Sequence, residues 1–152
     1  MLKNKLICAP ALLFVFFALV CFMGCREDAA SLLKNKTLQA EAGVVEAQFD
    51  LGMMYDLGRN TKQDHVEALK WYTMAAEQGH ANAQYNLGRM YDWGRGMPVD
   101  YVMAYKWYDI AASHNDAVSD VARRKRDFLK HKLSPEQIAE AERLSREFSF
   151  GR

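Results

Sequence analysis

Few side chains of this sequence stand where catalysis would need them. Its cysteines are Cys8, Cys21 and Cys25, and no two have the CxxC spacing of a metal or redox site. His65, His80, His114 and His131 are scattered, with no spacing that gathers ligands on one helix face. They are expected to be loop or surface histidines. The sequence has no Walker loop, no GxSxG and no HExxH. Catalytic, cofactor-binding and metal-binding residues are therefore all expected to be none. What remains is the chemistry of recognition, and Arg89 and Trp93 are residue types that dominate interface hot spots.

The elements that must position those two residues are legible from an internal repeat. Residues 45–80 align with 81–116 without gaps, and 17 of the 36 positions are identical. Ala47-Gln48, Leu51-Gly52 and Met54-Tyr55-Asp56 recur as Ala83-Gln84, Leu87-Gly88 and Met90-Tyr91-Asp92. Gly58-Arg59 recurs as Gly94-Arg95, Lys70-Trp71-Tyr72 as Lys106-Trp107-Tyr108, and Ala75-Ala76 as Ala111-Ala112. Ala47, Leu51, Met54 and Tyr55 have the spacing of one helix face, so a first helix runs from about Glu46 to Leu57. Gly58 stops it. Asp64 is an N-cap for a second helix, with Glu67 completing a capping-box pattern, and Gly79 ends that helix. Nothing in these units alternates as a strand would.

Small residues at fixed places predict close helix packing. Gly52 costs about 1 kcal/mol of helix propensity against alanine, so its return as Gly88 implies a contact that offsets this. The recurring Trp-Tyr pairs are read as packing between helices, and the methionines at 53, 54, 74, 90, 97 and 103 as core filling. Leu32–Gly43 matches Ala68–Gly79 weakly and reads as a lone second helix before the first repeat. After Ala117 the pattern decays, because Arg123-Arg124 replace Leu87-Gly88. Ser134-Pro135-Glu136-Gln137 then starts a last helix with the apolar face Ile138, Ala141, Leu144 and Phe148. Atypical end units act as caps in such stacks.

The pattern Ala-x-x-x-Leu-Gly-x-x-Tyr, a glycine loop and Trp-Tyr-x-x-Ala-Ala resembles the Sel-one-like repeat family, relatives of tetratricopeptide repeats. The resemblance covers residues 45–116 strongly, and about 30–44 and 117–148 weakly. Asn60 departs from it where the second unit has Gly96. The family implies an all-α, right-handed α/α solenoid of antiparallel helix pairs, about seven helices in all, that binds other proteins. The expected divisions are 1–24 signal, 25–44 anchor, linker and capping helix, 45–80 and 81–116 repeats, and 117–152 degenerate repeat and capping helix.

The first 24 residues are a separate object. They hold 19 apolar residues and only two charges, Lys3 and Lys5. A basic start, an apolar run and a small residue before a cleavage point make an export signal. Phe22-Met23-Gly24-Cys25 resembles the bacterial lipobox, which implies a covalent lipid on Cys25 and no other cofactor. Arg26 after that cysteine implies retention at the outer membrane, facing the periplasm. The alternative is an inner-membrane anchor of a single span, since Leu6–Met23 is just long enough to cross. If Cys25 is the only thiol kept after cleavage, the domain has no disulfide and is held by packing.

Charge sharpens the class of partner. Residues 26–116 carry net −4 and residues 117–152 net +3, within a chain of net +1. Arg123-Arg124-Lys125-Arg126 is the one basic cluster. Export removes nucleic acid as its partner, which leaves a solvated cap face, lipid head groups or an acidic protein. Solenoids present their first helices along one surface. The expected partner-binding residues are therefore Phe49, Met53, Asp56 and Leu57 with their equivalents Tyr85, Arg89, Asp92 and Trp93. The function expected is a non-enzymatic protein-interaction module at the cell envelope, an immunity protein against a secreted toxin or an adaptor. The alternative is an envelope enzyme akin to cysteine-rich repeat proteins that bind β-lactams.

Overall fold

The computed structural model describes residues 29–150, with the side chain of residue 150 excepted. Among these, seven α-helices occur and no strand. They are α1 (residues 29–41), α2 (Val45–Leu57), α3 (His65–Glu77), α4 (Ala81–Trp93), α5 (Tyr101–Ala112), α6 (Ala117–Leu129) and α7 (Pro135–Phe150). Residues 1–28, which include the segment expected to be a signal and all three cysteines, lie outside the described residues.

Helix boundaries follow the punctuation read from the sequence. The Asp64 carboxylate accepts from the Val66 and Glu67 amides at 2.9 and 3.1 Å, and Asp100 does the same for Val102 and Met103, both at 3.0 Å. The capping box expected at Asp64 does not close. The Asp64 amide donates instead to the Tyr55 carbonyl at 2.9 Å, which ties the loop back to α2, and Glu67 pairs with Lys70. A full box forms at Asp116 with Ser119, and another at Ser134, whose amide donates to Gln137 Oε1 while its hydroxyl accepts from the Gln137 amide. Gly58 and Gly94 end α2 and α4 in the left-handed region, both at φ 66°. Asn60 takes φ 59° in the loop position that Gly96 occupies at 77°, and asparagine tolerates this better than most residues.

Each helix packs on the next: α2 on α3, α3 on α4, α4 on α5. The small residues are where the pairs meet. A Cβ on Gly52 would lie 2.6 Å from the Tyr72 ring, and one on Gly88 would lie 2.7 Å from the Tyr108 ring. Tyr72, Trp71, Tyr108 and Trp107 are all buried, as packing rather than display requires. Of the methionines, Met54 and Met90 are buried, while Met53, Met74, Met97 and Met103 lie half-buried against the same clusters. The lone helix α1 buries Ala40 against Ala47, Leu51, Met54 and Trp71.

The third pair is built differently. Both α6 and α7 pack on α5, and among the described residues they barely touch one another. Arg124 stands where Gly52 and Gly88 stand, so the close approach that joins each repeat's helices has no counterpart here. In α6 the buried apolar residues are Ala122 and Leu129, while Arg123 and Arg124 are exposed. One residue of register is about 100° of rotation on a helix. That shift turns Arg123 and Arg124 to solvent, while Arg126 reaches Asp109 of α5. The helix α7 closes the end of the core by laying Phe148 edge-on against Trp107, ring centroids 5.1 Å apart.

Candidate partner-binding face

The stack is held by contacts that cross from one unit to the next. Gln48 and Gln84 are both 1% exposed, and each side-chain amide donates to the last turn of the preceding second helix, at Ala40 O and Ala76 O, both 3.1 Å away. Their carbonyl oxygens accept from Gln78 Nε2 at 2.7 Å and meet His114 Nε2 at 2.8 Å. Each of those carbonyls also accepts a backbone amide, from Gly43 and Gly79, both at 3.0 Å, so the glutamine adds a second bond that ties the helix end to the next unit. In α6 the matching residue is Asp120, which is exposed and pairs with Arg123. The clamp stops where the repeat stops.

The histidines are more engaged than their scatter suggested. His80 caps α4 by accepting from the Ala83 amide at 3.1 Å, lies 2.8 Å from a Glu46 carboxylate oxygen, and stacks on Phe49 with centroids 4.4 Å apart. His65 Nδ1 lies 3.1 Å from Asp56 Oδ1. His80 lies in a turn, as expected, and joins α2 to the start of α4, whereas His65 is the first residue of α3 and faces back to α2 within the same unit. His131 is exposed. Among the described residues no group of three or more His, Cys, Asp and Glu side chains could hold a metal ion, and no helix is long and apolar enough to cross a membrane.

The structure separates the eight residues expected to bind a partner. Phe49 and Met53 are half-buried against the core, and Tyr85 is tilted onto Tyr108 with centroids 5.7 Å apart. Asp56 is 5% exposed, and its Oδ1 faces His65 and, at 3.4 Å, Arg95. Asp92 accepts a hydrogen bond from the Tyr108 hydroxyl at 3.4 Å. Burial pushes both the Tyr72 and Tyr108 phenols well above the usual tyrosine range, and the nearby Asp56 and Asp92 carboxylates push them further. These two carboxylates therefore organise the face from beneath.

Leu57, Arg89 and Trp93 are what the face offers to solvent, with Leu57 49% and Trp93 46% exposed. The Arg89 guanidinium sits 4.6 Å from the Trp93 ring centroid and Arg95 sits 4.7 Å from it, with Lys125 of α6 at 6.0 Å. Phe128 of α6 is 56% exposed, one residue short of the position aligned with Trp93, because of the rotation of that helix. Lys132 lies 5.3 Å from the Phe128 ring and 4.3 Å from the Tyr101 ring. Arg95 and Phe128 were not among the residues expected to bind, and Lys125 and Lys132 were read only as part of the basic cluster. The recurrence of Gly-Arg after each first helix was the signal for Arg95; the rotated register hid Phe128.

Comparison with known proteins gives this arrangement its relatives. The Sel1 repeat profile matches residues 45–80 and 81–116. No curated protein matches the chain. Among solved structures it is similar to c5321, a protective antigen present in uropathogenic Escherichia coli strains that displays an SLR fold. The two share 34% identity and a TM-score of 0.72 over 76% of this chain and 24% of that one. It is also similar to a Sel1 repeat protein from Oxalobacter formigenes, with 37% identity and a TM-score of 0.55 over 57% of this chain and 25% of that one. The chain thus spans about a quarter of the length of these relatives.

Proposed function

Starting from a chain that carries two Sel1 repeats in an all-α solenoid, a fold of protein–protein interaction modules, we propose that it is a non-enzymatic adaptor or immunity protein held at the bacterial cell envelope. Its partner docks on the layer of first helices α2, α4 and α6, and the contact centres on Trp93. The observation that carries this reading is an indole 46% exposed with two arginines stacked against it. A large aromatic left in water at the end of a first helix, beside guanidinium groups, is the composition of an interface centre.

Anchoring at the envelope is supported by the basic start, the apolar run and Gly24-Cys25. Lipid on Cys25 would leave the helices on the periplasmic side of the outer membrane, and more than one acyl chain makes such anchoring stable. That the Escherichia coli relative is described as a protective antigen accords with a module placed outside the cytoplasm.

Affinity purification of the full chain from cross-linked envelopes tests the interaction. A discrete protein partner should be captured, and Arg89→Ala with Trp93→Ala should abolish its capture while circular dichroism stays helical. Capture unchanged by that double substitution would contradict the proposal. For the anchor, Cys25→Ala should leave the precursor uncleaved, and an unchanged mature mass would contradict lipidation.

A further inference from the structure

We propose that the segment bound on this face is acidic and apolar together: a short stretch that lays nonpolar side chains on Leu57, Trp93 and Phe128 while its carboxylates meet Arg89 and Lys125. This rests on the reading that the first-helix layer is the docking surface, and it names the class of partner.

The three apolar residues are exposed at the C-terminal ends of α2, α4 and α6, at 49%, 46% and 56%. Side chains connect them in sequence. Asp56, next to Leu57, holds Arg95, which stacks on Trp93; Lys125 reaches the same ring and lies three residues before Phe128 on α6. Of the first helices, α4 and α6 touch directly, so Trp93 and Phe128 stand on neighbouring helix ends, with Leu57 reached through Asp56 and Arg95.

The charge in contact with the Trp93 ring is positive. Arg89, Arg95 and Lys125 all lie within 6.0 Å of one ring centroid, where they repel one another. Among the described residues neither Arg89 nor Lys125 is ion-paired; the hydrogen bond of Arg89 at 3.0 Å is to the neutral Asn86. Of the other cations of α6 and α7, Arg123 pairs with Asp120, Arg126 with Asp109 and Asp127, and Arg143 with Glu140 and Glu147, while Arg124 has no ion pair among the described residues but lies away from the Trp93 ring contacts. A guanidinium stacked on an indole keeps its N–H edge free for a carboxylate. The acidic groups nearest the row are engaged: Asp56 is buried beneath Arg95, Asp92 accepts from the Tyr108 hydroxyl, and Asp127 pairs with Arg126 and Lys130. Carboxylates arriving beside Trp93 would relieve the mutual repulsion of the cations, and that relief sets the sign of the partner.

The experiment uses the full chain in nonionic detergent and three sets of labelled synthetic peptides of equal length: acidic with apolar residues, neutral with the same apolar residues, and acidic with polar residues. Fluorescence polarisation should show binding by the first set alone, weakening as salt is raised. Trp93→Ala should weaken it about 30-fold, the size of a hot-spot residue. Arg89→Gln with Lys125→Gln should erase the preference for acidic over neutral peptides. Both variants change exposed or half-exposed groups, and circular dichroism confirms that each is folded. Equal binding by neutral apolar peptides would overturn the inference, as would binding that Trp93→Ala leaves unchanged. Vesicles containing phosphatidylglycerol that bind more tightly than the peptides, with the same dependence on Trp93, would overturn it in favour of a lipid surface. A partner captured from envelopes through Trp93 with no preference for acidic segments would sink this inference alone. Peptide binding without any captured partner would sink the interaction reading instead.

Discussion

The two Sel1 repeats and the terminal helix pair use the same kind of helix to different ends. Within a repeat, a glycine lets the second helix press a tyrosine ring onto the backbone of the first, and a buried glutamine clamps the preceding unit. In α6 the glycine is Arg124 and the glutamine is Asp120, so neither contact exists. The helices then part, and α5 alone carries both α6 and α7. Two positions thus mark the difference between the repeat pairs and the pair that follows them. The rotation of α6 also brings Lys125 toward Trp93 and Phe128 into solvent.

The largest effect expected from this contrast is at alkaline pH. Burial holds Tyr72, Tyr105 and Tyr108 protonated beyond their ordinary 10.0, and burial with Glu142 pushes Tyr105 up to about 12. A group whose pKa is raised by folding contributes stability that is complete below the unfolded value of about 10 and is lost as pH rises through the folded one. Helicity should collapse together with the appearance of phenolate absorbance above that value. Full ionisation of these tyrosines with helicity intact would show that the second helices are not packed as described.

Next comes the glycine contact. Gly88→Val should cost about 3 kcal/mol in urea denaturation, because a side chain there meets the Tyr108 ring. Arg124→Ala, at the aligned position of α6, should change stability by no more than about 0.5 kcal/mol. Equal effects would erase the distinction between the two regions.

The glutamine clamp is expected to matter somewhat less. Gln84→Leu should cost about 2 kcal/mol, since the Ala76 carbonyl and His114 both lose a buried partner. Asp120→Asn should be nearly silent in the same assay. The smallest of these effects is at the caps, where Asp100→Ala in the repeat and Asp116→Ala in the terminal pair should each cost about 1 kcal/mol. Capping is local chemistry, so here the two regions should not differ.

How much of this was legible depended on whether the signal was local. Helix ends follow from Gly58, Asp64, Gly94, Asp100 and the Ser134-Pro135 start, because caps and stops act within one turn of chain. The need for a glycine at 52 and 88 was readable from its helix cost, and the tyrosine opposite it only from packing. Gln48 and Gln84 were visible as repeated letters, yet their role lies between units and no spacing announces it. For the candidate face, Trp93, Arg89 and Leu57 could be named from residue type and helical position. Asp56 could not be told from them by period alone; a carboxylate facing His65 and Arg95 is a tertiary fact. Phe128 escaped because alignment by repeat points to Leu129, and only the turn of α6 on α5 exchanges them.

The central claim is that a protein partner sits on the ends of the first helices at Trp93. A photo-crosslinking amino acid placed at position 93 of the full chain in living cells tests it most directly, with Val66, also exposed but at the start of α3, as the reference site. The account predicts a discrete protein adduct from position 93 and none from position 66. Adducts formed from position 66 but not from position 93 would contradict it.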